Sequence, residues 1–277
     1  MLNSSEIGQR IALLRREKGY TQEALATLLH VTGQAVSKWE NGNAIPDTTL
    51  LPVLAEVMET SIDRLLTGND FTKMLSPYDR QYDKLAYYWG LNPSLLAEKV
   101  ASIIQHDLTK ESNLLDLGSG EGRDAIYFAK CGFVVDAIEI SQPGIKKIEQ
   151  FSQVTGVSVN AIHANMIGYE FTRDYKVIYS MGALQFLPPE ERQKHFATYK
   201  GHTCVGGVNA HLVFVEKPFI AVAPDWEKNE FFYRSGDLAS YYHDWEIIQC
   251  GEAIFACDSS NIVHRHAVSF IIAKKPG

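Results

Sequence analysis

Apolar side chains recur three and four positions apart through the first part of the chain: Ile7, Ile11, Leu13 and Leu14, then Ala24, Leu25, Leu28 and Leu29, then Val31 and Val36. That spacing predicts short, mutually packed helices over residues 1–68. Thr21 is placed to cap a helix over Gln22–Leu29, and Gly33 sits in the turn before a third helix over Gln34–Trp39, closed by Asn41–Gly42. Two short helices joined by a tight turn form a helix-turn-helix. Trp39 is expected in the helix core rather than at a ligand.

Beyond Gly68–Asn69–Asp70 the helical pattern lapses, and Pro77 marks the last break before the chain regains amphipathic content, so residues 69–80 are expected to be a linker. Tyr82, Leu85, Tyr87, Tyr88 and Trp89 form an aromatic and apolar cluster. A helix is expected over Pro93–His106, with Leu95, Leu96, Val100, Ile103 and Ile104 on one face. The cluster has two readings: packing against a sheet, or a lid of Tyr87, Tyr88 and Trp89 over a cationic ligand.

From residue 113 strand and helix patterns alternate. Leu114, Leu115 and Leu117 read as a strand, Ala125, Ile126, Phe128 and Ala129 as a helix, and Val134–Glu139 as a strand. Next come a helix over Pro143–Val154, strands over Val157–His163 and Lys176–Ser180, a helix over Glu190–Tyr199 and a strand over Ala210–Val215. The alternation predicts a parallel sheet. A short helix after Ser235–Gly236–Asp237 precedes two long strands, Trp245–Phe255 and Ile262–Ala273, with a turn at Asp258–Ser259–Ser260–Asn261.

The candidate chemistry concentrates at Gly118–Ser119–Gly120–Glu121–Gly122, between a strand and a helix. Glycines there let the backbone take positive φ and approach a ligand, and the helix that follows presents unpaired N–H groups. An acid closing the next strand, Glu139, stands where a Rossmann-like site hydrogen-bonds ribose hydroxyls. The spacing G-x-G-x-G followed by Arg123 departs from the G-x-G-x-x-G of dinucleotide sites; a dehydrogenase or a plain α/β core are the competing readings. With Asp116 ahead and Glu139 behind, D-L-G-S-G-E-G resembles the first motif of class I methyltransferases.

That resemblance implies S-adenosylmethionine as cofactor, with S-adenosylhomocysteine as product. It places Asp116, Gly118, Ser119, Gly120, Gly122, Arg123, Glu139 and Ile140 around the cofactor. Asn165 and Met166 would meet the adenine, and Ser180 and Ala183 the methionine portion. An antiparallel terminal strand pair is a further mark of the class. The D/N-P-P-Y/F/W motif of amino-group DNA methyltransferases and the Pro-Cys nucleophile of cytosine-C5 enzymes do not occur, which argues against methylation of DNA bases. GEGRDAIYFAKCGFVVDAIEIS, KHFATYKGHTCVGGVN, SGDLASYYHDWEIIQ and FIIAKK are similar, in order and spacing, to the TehB family of tellurite-resistance methyltransferases over residues 113–277.

The TehB resemblance implies a small-molecule or chalcogen-oxyanion acceptor such as tellurite or selenite. Arg123 and His202 then become candidate anion contacts, and His264 with His266, which alternate to one face of a strand, a candidate base or oxyanion ligand. Each has a structural alternative: a surface ion pair for Arg123, a capping or core histidine for the others. The family's His-Arg pair before the last turn is replaced here by Phe255–Ala256–Cys257–Asp258.

YTQEALATLLHVTGQAVSKWENGNAIPD closely resembles the Xre/Cro family of phage-repressor-like DNA-binding domains, over residues 4–66. By position, Gln34, Ala35, Ser37 and Lys38 would face the major groove of an operator duplex, and Gln22 and Thr32 its backbone. A helical unit used only for dimerisation is the competing reading. Paired half-sites imply a homodimer.

The fold expected is therefore a small all-α helix-turn-helix domain (1–68) plus an α/β class I methyltransferase (81–277 with its lead-in helices), Rossmann-like, its sheet mostly parallel with an antiparallel terminal pair. Composition changes this picture little. A chain of 277 residues, 45% hydrophobic, has room for one large and one small domain. No apolar run approaches the roughly 18 residues of a membrane span, and MLNSSEIGQR lacks signal-peptide character, so a cytoplasmic protein away from membranes is expected. Cys131, Cys204, Cys250 and Cys257 include no C-x-x-C pair and are expected to be buried, reduced thiols with no disulfide and no metal. The formal charge of −7 argues against a broadly basic surface. In the small domain Asp47, Glu56, Glu59 and Asp63 offset a basic face of Arg15, Arg16, Lys18 and Lys38.

Overall fold

The computed structural model describes residues 3–67, 76, 78–109, 112–221, 230–257 and 263–277. They fall into two compact units, Met1–Leu75 and Ser76–Gly277. The expected breaks at Gly68–Asp70 and Pro77, the turn at Asp258–Asn261 and the side chain of Asp63 lie outside the described residues.

The first unit is all helix: α1 (Ser4–Glu17), α2 (Gln22–Leu28), α3 (Gly33–Glu40), α4 (Leu51–Val57) and α5 (Ile62–Thr67). Three caps set its first three starts. Asn3, Thr21 and Thr32 each accept from a backbone N–H in the first turn of the helix they precede. Ile7, Ile11, Leu14, Leu25, Val36, Trp39, Leu54 and Leu65 form its core. Leu13 and Leu28, expected inside, are 55% and 45% exposed, because the helix phase that buries Leu14 and Leu25 turns them outward.

Helices α1 and α3 touch at Gly8, where an added Cβ would stand 2.1 Å from the carbonyl oxygen of Trp39 and 2.9 Å from that of Glu40. Gly8→Ala is expected to force the two helices apart and cost this unit about 1–3 kcal/mol, as overpacking does. Thermal unfolding followed by circular dichroism checks it; an unchanged transition would show that the helices slide freely there.

The second unit is built on one seven-stranded sheet of order β3-β2-β1-β4-β5-β7-β6. Its strands are β1 (Asn113–Leu117), β2 (Val134–Glu139), β3 (Val159–His163), β4 (Tyr175–Met181), β5 (Thr203–Phe214), β6 (Glu246–Cys257) and β7 (His264–Lys274). The first five are parallel; β7 runs antiparallel to β5, and β6 antiparallel to β7 at the edge. This is the expected Rossmann-like sheet with its antiparallel terminal pair.

Helices flank both faces: α6 (Asp79–Tyr82), α7 (Leu95–Ile104), α8 (Arg123–Lys130), α9 (Gln142–Thr155), α10 (Pro189–Gly201) and α11 (Asp237–Ser240). One face buries Leu96, Val100, Ala125, Phe128, Ile145 and Ile148 against Leu114, Val135 and Tyr179. The other buries Phe196, Tyr199, Leu238 and Tyr242 against Leu115, Ile178 and Ile271. In the lead-in segment Leu96, Val100 and Ile104 are buried as expected, and two leucines are not. Leu85 is fully exposed and Leu95, the first residue of α7, is 76% exposed, since the cap at Ser94 sets a phase that buries Ala97 and Ala101 alongside Leu96, Val100 and Ile104 and turns Leu95 outward.

Candidate functional site

The order of strands reverses between β1 and β4, and in such sheets ligands bind outside the carboxyl ends of the strands at that switch point. The glycine turn sits there. Gly118, Gly120 and Gly122 have φ of +71°, +59° and +85°, which side-chain-bearing residues rarely adopt. A Cβ on Gly118 would stand 2.4 Å from the Cβ of Ala183, so the turn and the loop after β4 approach as closely as glycine allows. The sulfur of Met166 lies 3.9 Å from the same point.

Strand β2 holds the turn closed. The N–H groups of Gly118 and Ser119 both donate to the carbonyl of Ile138 at 2.9 Å. The Ser119 hydroxyl donates there too, at 3.3 Å. Glu139 accepts from the Gly120 N–H at 2.7 Å with Oε2 and from the Ser141 N–H at 2.8 Å with Oε1. Burial pushes the Glu139 carboxyl up to about 7, against the pull of those backbone N–H groups. Two accepted bonds leave a carboxylate with lone pairs for a further pair of donors.

Asp116 faces the start of α8. Burial carries its carboxyl well above the usual range; Asp124 adds to that, Arg123 opposes it and Glu139 adds further. Arg123 makes three hydrogen bonds to two partners: Nε and one terminal nitrogen donate to Asp124 at 3.1 and 3.2 Å, and the other terminal nitrogen to the Trp89 carbonyl at 3.3 Å. Asp124 accepts in turn from the Ser94 N–H at 2.8 Å and the Tyr179 hydroxyl at 2.7 Å. The turn is thus surrounded by the buried carboxyls of Asp116, Asp124 and Glu139 with the Arg123 guanidinium, and its own Glu121 is buried against the Lys147 ammonium.

The aromatic segment lies over this turn. The Tyr82 hydroxyl would come within 3.0 Å of a Cβ on Gly120, and it accepts from the Trp89 indole N–H at 2.8 Å. Trp89 packs edge-on against Tyr88 at 4.7 Å. Tyr87 points elsewhere, onto Phe151 of α9 and beneath the Lys147 ammonium. In the sequence Glu121 and Lys147 stand without a role, and Tyr82 groups with the aromatic cluster but not with the residues expected over the ligand. Glu121 reads as a spacer among glycines, and Lys147 as a solvated position between Ile145 and Ile148.

The remaining candidates scatter. The Asn165 carboxamide oxygen accepts from the Ile167 N–H at 3.0 Å after β3. The Ile140 carbonyl contacts His163 Nε2 at 2.9 Å, and the buried Ser180 hydroxyl donates to the Leu117 carbonyl at 2.9 Å, joining β4 to β1. His202 stands at the amino end of β5, at the opposite edge of the sheet, stacked on Phe171 and 3.2 Å from Asp174. His264 and His266 lie at the carboxyl rim with their Nε2 atoms 2.8 Å apart, and the His266 ring packs 5.0 Å from Phe214, the last residue of β5. The cysteines depart from expectation in burial. Cys204 and Cys250 are exposed, Cys131 and Cys257 half-buried, because strand ends and edge strand β6 present them outward; none is in a disulfide.

In the helical unit Gln34 and Lys38 are exposed on α3, whereas Ala35 and Ser37 are half-buried. Thr32 is occupied as a cap. Gln22 is turned inward, its amide donating to Glu40 at 2.8 Å. The expected basic face is smaller than its residue types suggest. Arg15 is buried against Glu40, with nitrogen–oxygen distances of 2.5 and 3.0 Å, and Lys18 is paired with Glu59. Trp39 is in the core, as expected.

Residues 11–65 match a family described as "Helix-turn-helix". Over 82 residues the chain is 33% identical to the "HTH-type transcriptional activator BcrR" of Enterococcus faecalis, covering 30% of this chain and 40% of that one. It is 23% identical over 139 residues to the "Probable S-adenosyl-L-methionine-dependent methyltransferase TehB" of Haemophilus influenzae, covering 50% of this chain and 48% of the relative. The chain thus spans about half the length of these relatives or less. The crystal structure of TehB from Haemophilus influenzae shares the fold, with a TM-score of 0.58 and 20% identity over 72% of this chain and 65% of that one. Residues 94–261, more than half of the chain, match the family described as "Tellurite resistance protein TehB", so the chain belongs to the TehB family and carries a helix-turn-helix unit ahead of it.

Proposed function

We propose that the protein is a DNA-binding regulator fused to an S-adenosylmethionine-dependent methyltransferase that acts on a small molecule. The observation that carries the reading is the charge around the glycine turn: beside the neutralised Glu121–Lys147 pair, three further buried carboxyls face one guanidinium, and burial drives two of them, Asp116 and Glu139, above the ordinary carboxylate range. Such a site is completed by a cationic ligand with hydroxyls to donate. S-adenosylmethionine has both, a sulfonium with an amino group and a ribose diol.

The residues fit that cofactor. Glu139 would take the ribose hydroxyls, Asp116 the positive end of the α8 dipole and the ligand's cation, and the glycines would let the backbone approach. Met166 and Asn165 follow β3 where an adenine would lie. The bound cofactor supplies an electrophilic methyl group. The chain's own residues then have to align the acceptor and exclude water, work done here by Ala183 against Gly118 and by Tyr82 and Trp89 above Gly120.

In the helical unit, Gln34 and Lys38 are the exposed residues suited to base or phosphate contacts on an operator duplex; Ala35, Ser37 and Thr32 lie beside them, and the backbone contact assigned to Gln22 falls to its main chain. Two half-sites would be read by a homodimer. Tellurite as acceptor rests on the family's description and selenite on its chemical likeness to tellurite; Arg123, already shared between Asp124 and the Trp89 carbonyl, is the candidate anion contact beside the turn.

Methyl release from labelled S-adenosylmethionine, in the presence of tellurite, selenite and thiols, tests the enzyme reading: one acceptor should turn over. A second reading, a sensor that binds the cofactor without turnover, is favoured by His202 lying at the far edge of the sheet and by the lack of the family's His-Arg pair. If no acceptor is methylated while operator affinity changes with cofactor, the sensor reading stands instead.

A further inference from the structure

The two strands of the terminal hairpin bring together three residues that the sequence keeps apart. Cys257 closes β6 and His264 opens β7, and the two are register partners; His266 is two residues further along β7, opposite Phe255. Directly opposed residues of an antiparallel pair share a face, as do positions two apart on one strand, so all three side chains project to the same side. One ligand atom from each, the sulfur of Cys257 and a ring nitrogen from each histidine, lies within 4.8 Å of the other two.

We propose that Cys257, His264 and His266 form a zinc site at the carboxyl rim of the sheet. Thiolate and imidazole are the donors zinc takes, and three protein ligands with a fourth position left open is the pattern of non-structural zinc sites. Tetrahedral zinc holds such donors roughly 3.3–3.7 Å apart. The two histidine nitrogens, at 2.8 Å, need to open slightly and the gaps to the sulfur, none above 4.8 Å, to close by no more than about 1.5 Å, movements within reach of a half-buried cysteine at a strand end. On binding, the Cys257 thiol gives its proton to solvent, the hydrogen bond between the two Nε2 atoms breaks, and the imidazole that donated it changes tautomer, releasing the Nε2 proton and taking one on Nδ1.

The surroundings suit the site. His266 is buried against Phe214 and Phe255, ring centroids 5.0 and 5.6 Å away, which fixes its ring and keeps bulk water from one side of the cluster. Phe214 in turn would touch a Cβ on Gly182, at 3.4 Å, in the loop after β4. The open position therefore belongs to the same rim as the cleft at the switch point, although the metal assignment does not depend on what that cleft binds.

Cobalt(II) is the probe, added to the full chain after chelator dialysis in reducing buffer. One equivalent per chain should bind with a thiolate-to-cobalt charge-transfer band, and zinc should displace it. Cys257→Ser should abolish the band, His264→Ala should weaken binding at least tenfold, and Cys204→Ser with Cys250→Ser should leave both unchanged. Circular dichroism reads whether each variant is folded, and if Cys257→Ser is not, His264→Ala, at a half-buried strand start, decides. No thiolate band in the wild-type protein, or a band and affinity that survive in the folded variant, would overturn the site.

Discussion

Glu139→Ala is expected to weaken S-adenosylmethionine binding by roughly 100-fold or more, the worth of two hydrogen bonds to a charged acceptor at about 1.5–3 kcal/mol each. The carboxylate has a double task. Its two oxygens already fix the Gly120 and Ser141 N–H groups, so its loss would both remove the proposed ribose partner and loosen the turn. Calorimetric titration of the folded variant measures the effect; an affinity within a few-fold of wild type would refute the assigned contact.

The same residue predicts a pH dependence. With its carboxyl raised from the usual 4.5 to about 7, Glu139 is largely protonated in the ligand-free protein below neutrality. Ribose hydroxyls favour the ionised form, so cofactor affinity should fall as pH drops from 8 towards 5, with proton release on binding near pH 7. Stability of the ligand-free protein should run the other way. A folded-state value above the unfolded one stabilises fully below about 4.5, and that contribution is lost as pH rises through 7.

Glu121→Gln is expected to cost the second unit about 3–5 kcal/mol, since it strands a buried ammonium. Glu121 Oε1 lies 2.6 Å from Lys147 Nζ, and their side chains are 0% and 8% exposed. Its other oxygen accepts from the Trp89 N–H at 3.2 Å, and Lys147 also donates to the Ala86 carbonyl at 2.6 Å. The pair therefore pins the aromatic segment, α9 and the glycine turn together. The melting temperature should fall by roughly 6–20 °C, at 2–4 °C per kcal/mol for a unit of this size. Adding Lys147→Met should recover part of the loss, because the two changes remove one interaction. Strict additivity of the two would contradict the pairing.

Features carried by local spacing were legible in the sequence. The glycine turn, the acid closing β2, the helix caps at Thr21 and the alternation that orders the sheet all lie within one or two elements, where periodicity and turn chemistry decide the outcome. Features set by distant partners were not. Arg15 looks like a surface cation until Glu40, 25 residues away, draws it inward and shrinks the basic face. His202 caps the helix before β5, yet the parallel direction of that strand puts it at the amino end of the sheet, away from the rim that carries the glycine turn. Leu13, Leu85 and Leu95 are apolar in type but out of phase with their helices or outside them. The Cys257, His264 and His266 cluster exists only because the hairpin register closes it.

The central claim is that the glycine turn of this TehB-family unit is built for a cationic nucleoside. Calorimetric titration of the full chain with S-adenosylmethionine at pH 8 tests it most directly. One site per chain with micromolar affinity is the predicted result; no detectable binding by folded protein would contradict both the enzyme and the sensor.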